Sequence, residues 1–365
     1  VTELFPPYEI GGAERSIYYL SKGLANRNQV VILTPNYGDK PKELIGNLKI
    51  IRFPFYKKLK GNQFPGNFFY TNFFWYIWTA IFFTIHILNE KPDVINVQGK
   101  YCIPQIYLIK KIIKTPTLIT IRDYQVICNY GLCLLDSNKS CNLYDYFTKE
   151  FIKYYKQYVS SKNPLLFFLN IIYAIWGRIS CRLLNLFAKK ENIVVLSQAQ
   201  KRIFLKNGFQ NVHIIPNQAE FKKIPANKKK KDSILFVGRL TPGKGVLFLI
   251  EILPLLIKKL PKFTFIFAGE GILKRRLRKL SNKYSQIKVL GNISHNDILK
   301  LMAQSKLVLV PSVWPEPFGR VALEAISQGT PVIASNRGGL PDIVKDNRYG
   351  NIVKKAGWDE NPTKI

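Results

Sequence analysis

The chain alternates short, uniformly apolar runs with longer stretches in which apolar residues recur every three or four positions. One series of runs is VVILT (30–34), DVINVQ (93–98), TLITI (117–121), IVVLS (193–197) and VHIIP (212–216). A second is ILFVG (234–238), FTFIFAG (263–269), IKVLG (287–291), LVLVPS (307–312) and PVIAS (331–335). A run that is apolar at nearly every position suits a strand covered on both faces, as in a parallel sheet flanked by helices. Strands alternating with helices predict βαβ units and an α/β fold. Between the two series lies FKKIPANKKKKDS (221–233), polar, Lys-rich and interrupted by Pro225. It reads as a linker between an N-terminal domain over 1–220 and a C-terminal domain over 234–365, each doubly wound, with a cleft between them.

Two segments depart from this rhythm. FFWYIWTAIFFTIHIL (73–88) has almost no polar side chains, yet is shorter than the roughly 20 residues a membrane span needs. PLLFFLNIIYAIWGRISCRLLNLFAKK (164–190) is apolar first and basic later. Both are expected as helices, either in the core or lying on a membrane surface.

Composition sharpens the picture. With 365 residues, 47% of them hydrophobic, the chain exceeds what one core usually organises. The 55 Lys and Arg against 23 Asp and Glu leave a formal charge of +32, which suits an anionic membrane or a phosphorylated substrate. Nucleic acid would be attracted too, but the lysines are scattered and no nucleic-acid motif is present, so no nucleic-acid partner is expected. Five cysteines, an odd number spread over a long chain, argue against a disulfide scaffold and for a reducing, cytoplasmic compartment. Cys128, Cys133 and Cys141 cluster, but His86, His213 and His295 are all distant in sequence, so no metal site is expected. The chain opens on Val1 and its only methionine is Met302, so a fragment or processed chain is expected, with no signal peptide visible.

The chemistry concentrates in PSVWPEPFGRVALEAISQGTPVIAS (311–335). LVLVPS is a strand, Pro315 and Pro317 force a loop, and RVALEAIS reads as a helix stopped by Gly329. That places Glu316 in the loop at a strand's carboxyl end and Glu324 in the helix's second turn, on the edge where doubly wound sheets bind ligands. The amides of Phe318 and Gly319 fall at the helix N-terminus, a favourable seat for phosphate. Val321 lies on the helix's apolar side. Two carboxylates flanking a phosphate seat can each accept hydrogen bonds from vicinal hydroxyls, a sugar on one side of a diphosphate and a ribose on the other.

These residues resemble the E-x7-E motif of retaining GT-B glycosyltransferases, in particular family 4. The wider string, with GGLPDIV (338–344) after it, is similar to that family almost residue for residue. FVGRLTPGKG (236–245) resembles the family's GRLxxxKG segment. The resemblance implies that Gly238 lies against the donor and that Arg239 and Lys244 neutralise its diphosphate, with no metal or other cofactor. FAGEG (267–271) resembles the glycine element near the nucleotide and implicates Gly269. LGNISHNDILKLM (290–302) resembles the segment whose backbone, near Asn292 and Ile293, reads the base, with His295 a surface residue or helix cap.

At the other end, FPPYEIGGAERSIYYLSKGLANRNQVVILTP (5–35) is similar to the family's opening. Gly11 and Gly12 would let the backbone approach donor or acceptor closely, and Glu14 would either face the acceptor or simply cap the first turn of the helix. Many relatives carry His-Asp after the strand matching TLITI; here Arg122 and Asp123 stand there. Arginine cannot act as a base at neutral pH, so both are acceptor-side candidates, against a structural ion pair. No nucleophile is implied. The resemblance is strong over 1–35 and 234–353 and loose over 36–190; relatives also have a strand before Val1 and helices beyond Ile365. It implies transfer from a nucleotide-diphosphate sugar to an acceptor; a glycan or lipid-linked acceptor at the inner face of an anionic membrane, as in cell-envelope polysaccharide synthesis, fits the basic, apolar N-terminal half. A nucleotide-sugar epimerase or hydrolase on the same fold, and a basic polyanion-binding protein, are the alternatives.

Overall fold

The computed structural model describes residues 1–8, 12–55, 67–131, 142–159, 161–218 and 230–353. The chain divides into two compact units, one of residues 1–133, 137–155 and 161–218, the other of 134–136, 156–160 and 219–365.

The second unit is built on one sheet. Its strands are numbered here after the seven of the first unit: β8 (Lys231–Val237), β9 (Thr264–Ala268), β10 (Ile287–Gly291), β11 (Ser305–Val310), β12 (Val332–Ser335) and β13 (Gly350–Val353). They lie in the order β10-β9-β8-β11-β12-β13, every pair parallel. Counted from β8, this is the doubly wound order 3-2-1-4-5-6, which reverses between β8 and β11. The apolar runs are explained by cover on both faces: Ile234 and Phe236 point into one core with Leu249, Leu253 and Phe265. Leu235 points into the other with Val308, Ala322 and Val332. The polar segment read as a linker ends sooner than its composition suggests, because β8 already begins at Lys231; residues 221–229 of that segment lie outside the described residues.

The first unit carries two sheets. β1 (Val30–Pro35), β2 (Lys42–Ile45) and β3 (Leu48–Phe53) form one in the order β1-β3-β2, with β1 parallel and β2 antiparallel to β3. β4 (Ile95–Val97), β5 (Thr117–Thr120), β6 (Asn192–Val195) and β7 (Asn211–Ile214) form a parallel sheet in chain order. The first residues of the chain join the two: Thr2 N–H donates to Leu33 O at 3.1 Å and Gln98 N–H donates to Val1 O at 2.8 Å. Helices Phe73–Glu90, Ile103–Ile113 and Pro164–Ala188 pack side by side in this unit, with the middle one touching both others. Each buries one side, the first through Trp75, Phe83 and Ile87 and the second through Ile103, Ile106 and Ile109, while other large apolar side chains on all three remain exposed.

Cys102, Cys128 and Cys181 are buried thiols. Cys133 and Cys141 lie outside the described residues.

Candidate functional site

In the second unit, β8 runs into a turn at 241–245 and β11 into the loop 311–316, on either side of the sheet's reversal. The two loops are tied by backbone: Val313 and Trp314 N–H both donate to Gly243 O, at 3.0 and 3.2 Å. Gly245 makes this approach possible. It sits at φ +75°, and a Cβ there would lie 1.8 Å from Pro311 O, so any other residue would push the loops apart. The consequence is that Lys244 Nζ donates to Glu316 Oε1, while standing 5.0 Å from the centre of the Trp314 ring. Ser312 Oγ donates to the same carboxylate oxygen.

Glu316 is buried, with a side chain 10% exposed. Burial by itself would raise its pKa, but the Lys244 charge and the hydrogen bonds from Lys244 and Ser312 outweigh burial and hold it below the usual carboxylate value. The loop is braced from behind by Gly338 and Gly339. Gly339 N–H donates to Glu316 O at 2.7 Å, and at Gly338 (φ +58°) a Cβ would lie 2.1 Å from that same oxygen.

Helix Arg320–Ser327 follows, capped at its N-terminus by Gly319. The Phe318 side chain is buried, so only its backbone can meet a ligand; Val321, in the helix's first turn, is half-buried. Glu324, in the second turn, does not reach Glu316's partners. Its Oε1 accepts from Arg320 at 2.7 Å and lies 4.0 Å from His295 Nε2. His295 is therefore more than a surface residue, and the cap of its helix is Ser294, whose side chain accepts from Asp297 N–H. Gly238 and Gly269 follow β8 and β9 and lie against each other, a Cβ on Gly269 falling 2.0 Å from Gly238 O. Arg239 is exposed just past β8 and, among the described residues, has no ion-pair partner. Asn292 N–H donates to Glu270 Oε1 at 3.2 Å, with the half-buried Ile293 next in the chain. Among the sequence-predicted residues of this unit, then, the structure joins Lys244 to Glu316 directly. It sets Gly238, Arg239, Gly269, Ile293 and Glu324 on the strands' carboxyl edge without linking their side chains to that pair.

The first unit gathers a second polar group where β4, β5 and β7 end. Arg122 does not pair with its neighbour Asp123. Its Nε and Nη2 donate to Gln98 Oε1 at 3.2 and 2.8 Å, and its Nη1 donates to Asn217 Oδ1. Asp123 instead accepts from Lys100 Nζ at 2.6 Å and from Gln125 N–H at 2.9 Å. Glu3 stands nearby: burial pushes its pKa up to about 7 against the opposing pull of Lys100. Glu14 lies half-buried in the first turn of helix Gly12–Ala25, which Gly12 opens; Gly11 lies outside the described residues. Gln98, Lys100, Asn217, Glu3 and Ser312 were not singled out by sequence. The available signal was position, since Gln98 ends one apolar run with Lys100 two residues beyond it, and Ser312 ends another.

The sequence matches the family model described as Glycosyltransferase Family 4 over residues 10–219. The chain belongs to glycosyltransferase family 4. A second model, Glycosyl transferases group 1, matches residues 217–364, the part that holds Lys244, Glu316 and Glu324. An uncharacterized glycosyltransferase of Methanocaldococcus jannaschii is 37% identical over 135 residues, 36% of this family 4 chain and 33% of the relative. These matches span about a third of the length of the curated relatives. In fold, the chain is similar to sucrose-phosphate synthase from Thermosynechococcus elongatus, with a TM-score of 0.67 at 17% identity, covering 97% of this chain and 82% of that one. It is also similar to HepE from Anabaena, solved with UDP and glucose, with a TM-score of 0.61 at 20% identity, covering 98% and 87%. The fold class is thus GT-B, with parallel α/β sheets.

Proposed function

We propose that this family 4 chain is a retaining glycosyltransferase. It takes a sugar from a nucleotide-diphosphate donor and passes it to a glycan or lipid-linked acceptor in cell-envelope polysaccharide or glycoconjugate synthesis, on the cytoplasmic side. The observation that carries this reading is the Lys244–Glu316 pair at the reversal of the 3-2-1-4-5-6 sheet. A cation and a carboxylate held in contact at a switch point suit a ligand carrying both phosphate and hydroxyls. HepE, similar in fold, has been solved with UDP and glucose, which favours a nucleotide-diphosphate sugar over other ligands of that description.

In this reading, Lys244 and Arg239 meet the diphosphate, helped by the amides at the start of helix Arg320–Ser327. Glu316 accepts hydrogen bonds from the sugar. Glu324, held by Arg320 and close to His295, accepts hydrogen bonds from the ribose hydroxyls. As the bond from the anomeric carbon to the diphosphate breaks, the acceptor hydroxyl oxygen bonds to the same face. Its proton passes to the departing phosphate oxygen. Charge on that oxygen is met by fixed cations, so transfer proceeds without an added divalent ion. The acceptor is met by the Arg122, Asp123 and Lys100 group, together with Glu14.

The test is a transfer assay with product analysis. Lys244→Ala and Glu316→Ala should each lower transfer by about 10²-fold or more, with the circular dichroism of the wild type retained. Chelator should leave the rate unchanged. Wild-type rates in either variant, or donor consumed with no sugar on any acceptor, would refute the assignment.

A further inference from the structure

Helix Pro164–Ala188 is built inside out for a protein surrounded by water. The side chains it turns toward the rest of its unit are mostly small: Ala174, Gly177, Ser180 and Cys181, with Leu184 and Ala188 near its end. Those it leaves exposed are large, among them Phe168, Leu169, Ile172, Ile175 and Ile179. An amphipathic helix on an aqueous surface does the reverse, burying its large apolar residues. Small residues at the helix contact and large ones outward are the arrangement of a helix whose outer face meets lipid. Helix Phe73–Glu90 buries large side chains on its packed side, Trp75, Phe83 and Ile87, and still exposes large ones on the other. Thr79 faces inward, accepting from Gln105 Nε2 at 2.7 Å, while Phe73, Ile77, Ile81 and Ile85 recur outward at helical spacing, each between 44% and 79% exposed. Ile112 on the helix between them is 78% exposed. One unit thus presents large apolar side chains on three adjacent helices.

What covers this face is indicated by charge. From Pro164 to Lys190 there is no Asp or Glu, while Arg178, Arg182, Lys189 and Lys190 punctuate the later half. Lys110, Lys111 and Lys114 close the middle helix. The acidic groups at the ends of two of these helices are already engaged, Glu191 with Lys110 at 2.6 Å and Glu90 with Lys49 at 2.6 Å. An apolar surface bordered by cations complements a bilayer with anionic headgroups, whose acyl region takes the side chains and whose phosphates take the cations. A second copy of the chain would set the same cations against each other.

We infer that the exposed face of helices Phe73–Glu90, Ile103–Ile113 and Pro164–Ala188 beds this chain into the surface of an anionic lipid bilayer. The helices lie in the interface and do not cross it, because Pro164–Ala188 keeps one side packed on its own unit. The inference is independent of the donor reading, and its test contains no nucleotide sugar.

The experiment is flotation of the full chain with phosphatidylcholine vesicles, with and without about a third phosphatidylglycerol. The wild type should float with the anionic vesicles and lose most, but not all, of that binding in high salt. Ile77→Asn/Ile81→Asn and Ile172→Asn/Ile175→Asn change residues that are roughly half exposed, so the circular dichroism should be unchanged. Each double variant should lower the partition at least about tenfold, the low end for withdrawing a single large apolar side chain from lipid. Lys111→Gln/Arg182→Gln should reduce the preference for anionic over neutral vesicles. A wild type that stays with the soluble fraction for both compositions would overturn the inference. So would double variants that float as well as the wild type, or a soluble dimer that Ile172→Asn disperses and no vesicle binds.

Discussion

Replacing Lys244 by methionine keeps much of the side chain's length and removes its charge, so it isolates what that charge does for Glu316. The Glu316 side chain is 10% exposed and that of Lys244 22%. Deleting one partner of a buried pair costs about 3–5 kcal/mol, because the other is left charged and desolvated. Partial exposure of Lys244 reduces this to roughly 2–3 kcal/mol. Lys244→Met/Glu316→Gln should recover most of that loss, since the amide carries no charge and can still accept from Ser312. The expected coupling is therefore about 2 kcal/mol. The pH dependence has a definite sign. In the wild type, the lowered Glu316 pKa contributes stability that is present above 4.5 and lost as pH falls through the lower folded value. In Lys244→Met, burial remains and the main opposing cation is gone, so Glu316 takes up a proton more readily and the penalty shrinks as pH falls toward 5. Native-state hydrogen exchange of β8 and β11 amides reads this locally, without requiring both units to unfold together. Coupling below about 0.5 kcal/mol, or a penalty independent of pH, would refute the reasoning.

Two further perturbations follow from the geometry. Gly338→Ala places a methyl 2.1 Å from Glu316 O at positive φ; the loop should shift and transfer should fall by about 10²-fold, whereas Gly46→Ala, also at positive φ but with open space around it, should leave transfer rates unchanged. Glu3→Gln should stabilise the first unit at high pH. A carboxyl raised from 4.5 to about 7 holds its proton longer in the native state, so the wild type loses stability as pH rises through that window. The variant's advantage should reach up to ~3 kcal/mol above pH 7 and vanish near pH 4.5, by denaturation at the two extremes.

The sequence is legible where structure is local and opaque where it depends on distant partners. Each of the ten apolar runs corresponds to a strand; cover on both faces explains central strands such as β8, whereas the edge strands β7 and β10 leave alternate residues exposed. β3 escaped since Lys49 and Arg52 interrupt it. Arg52 is nevertheless buried, paired with Glu43 at 3.1 Å and Asp39 at 3.3 Å, and such a network has no periodicity to read. Among the candidate residues, Glu316 and Lys244 were visible through their flanking strings, although 72 positions separate them. Ser312 and Gly338 were not assigned their parts, because each acts through a tertiary contact with the Glu316 loop. Arg122 and Asp123 lie just past the end of β5, where the sequence places them. That Asp123 pairs with Lys100 and not with its neighbour required the register of β4 and β5. The two long apolar segments left core and surface equally open, and only the facing of Ala174 and Gly177 against Ile172 and Ile175 distinguishes them.

The account's central claim is that Lys244 and Glu316 form the seat of a nucleotide diphosphate. Calorimetric titration of uridine, guanosine and adenosine diphosphates and their sugars into the wild type and into Lys244→Met tests it most directly. At least one of these ligands should bind the wild type, with affinity at least about thirtyfold weaker in the variant, equivalent to roughly 2 kcal/mol. Binding that is equally tight in Lys244→Met, or no binding of any of them to the wild type, would contradict it.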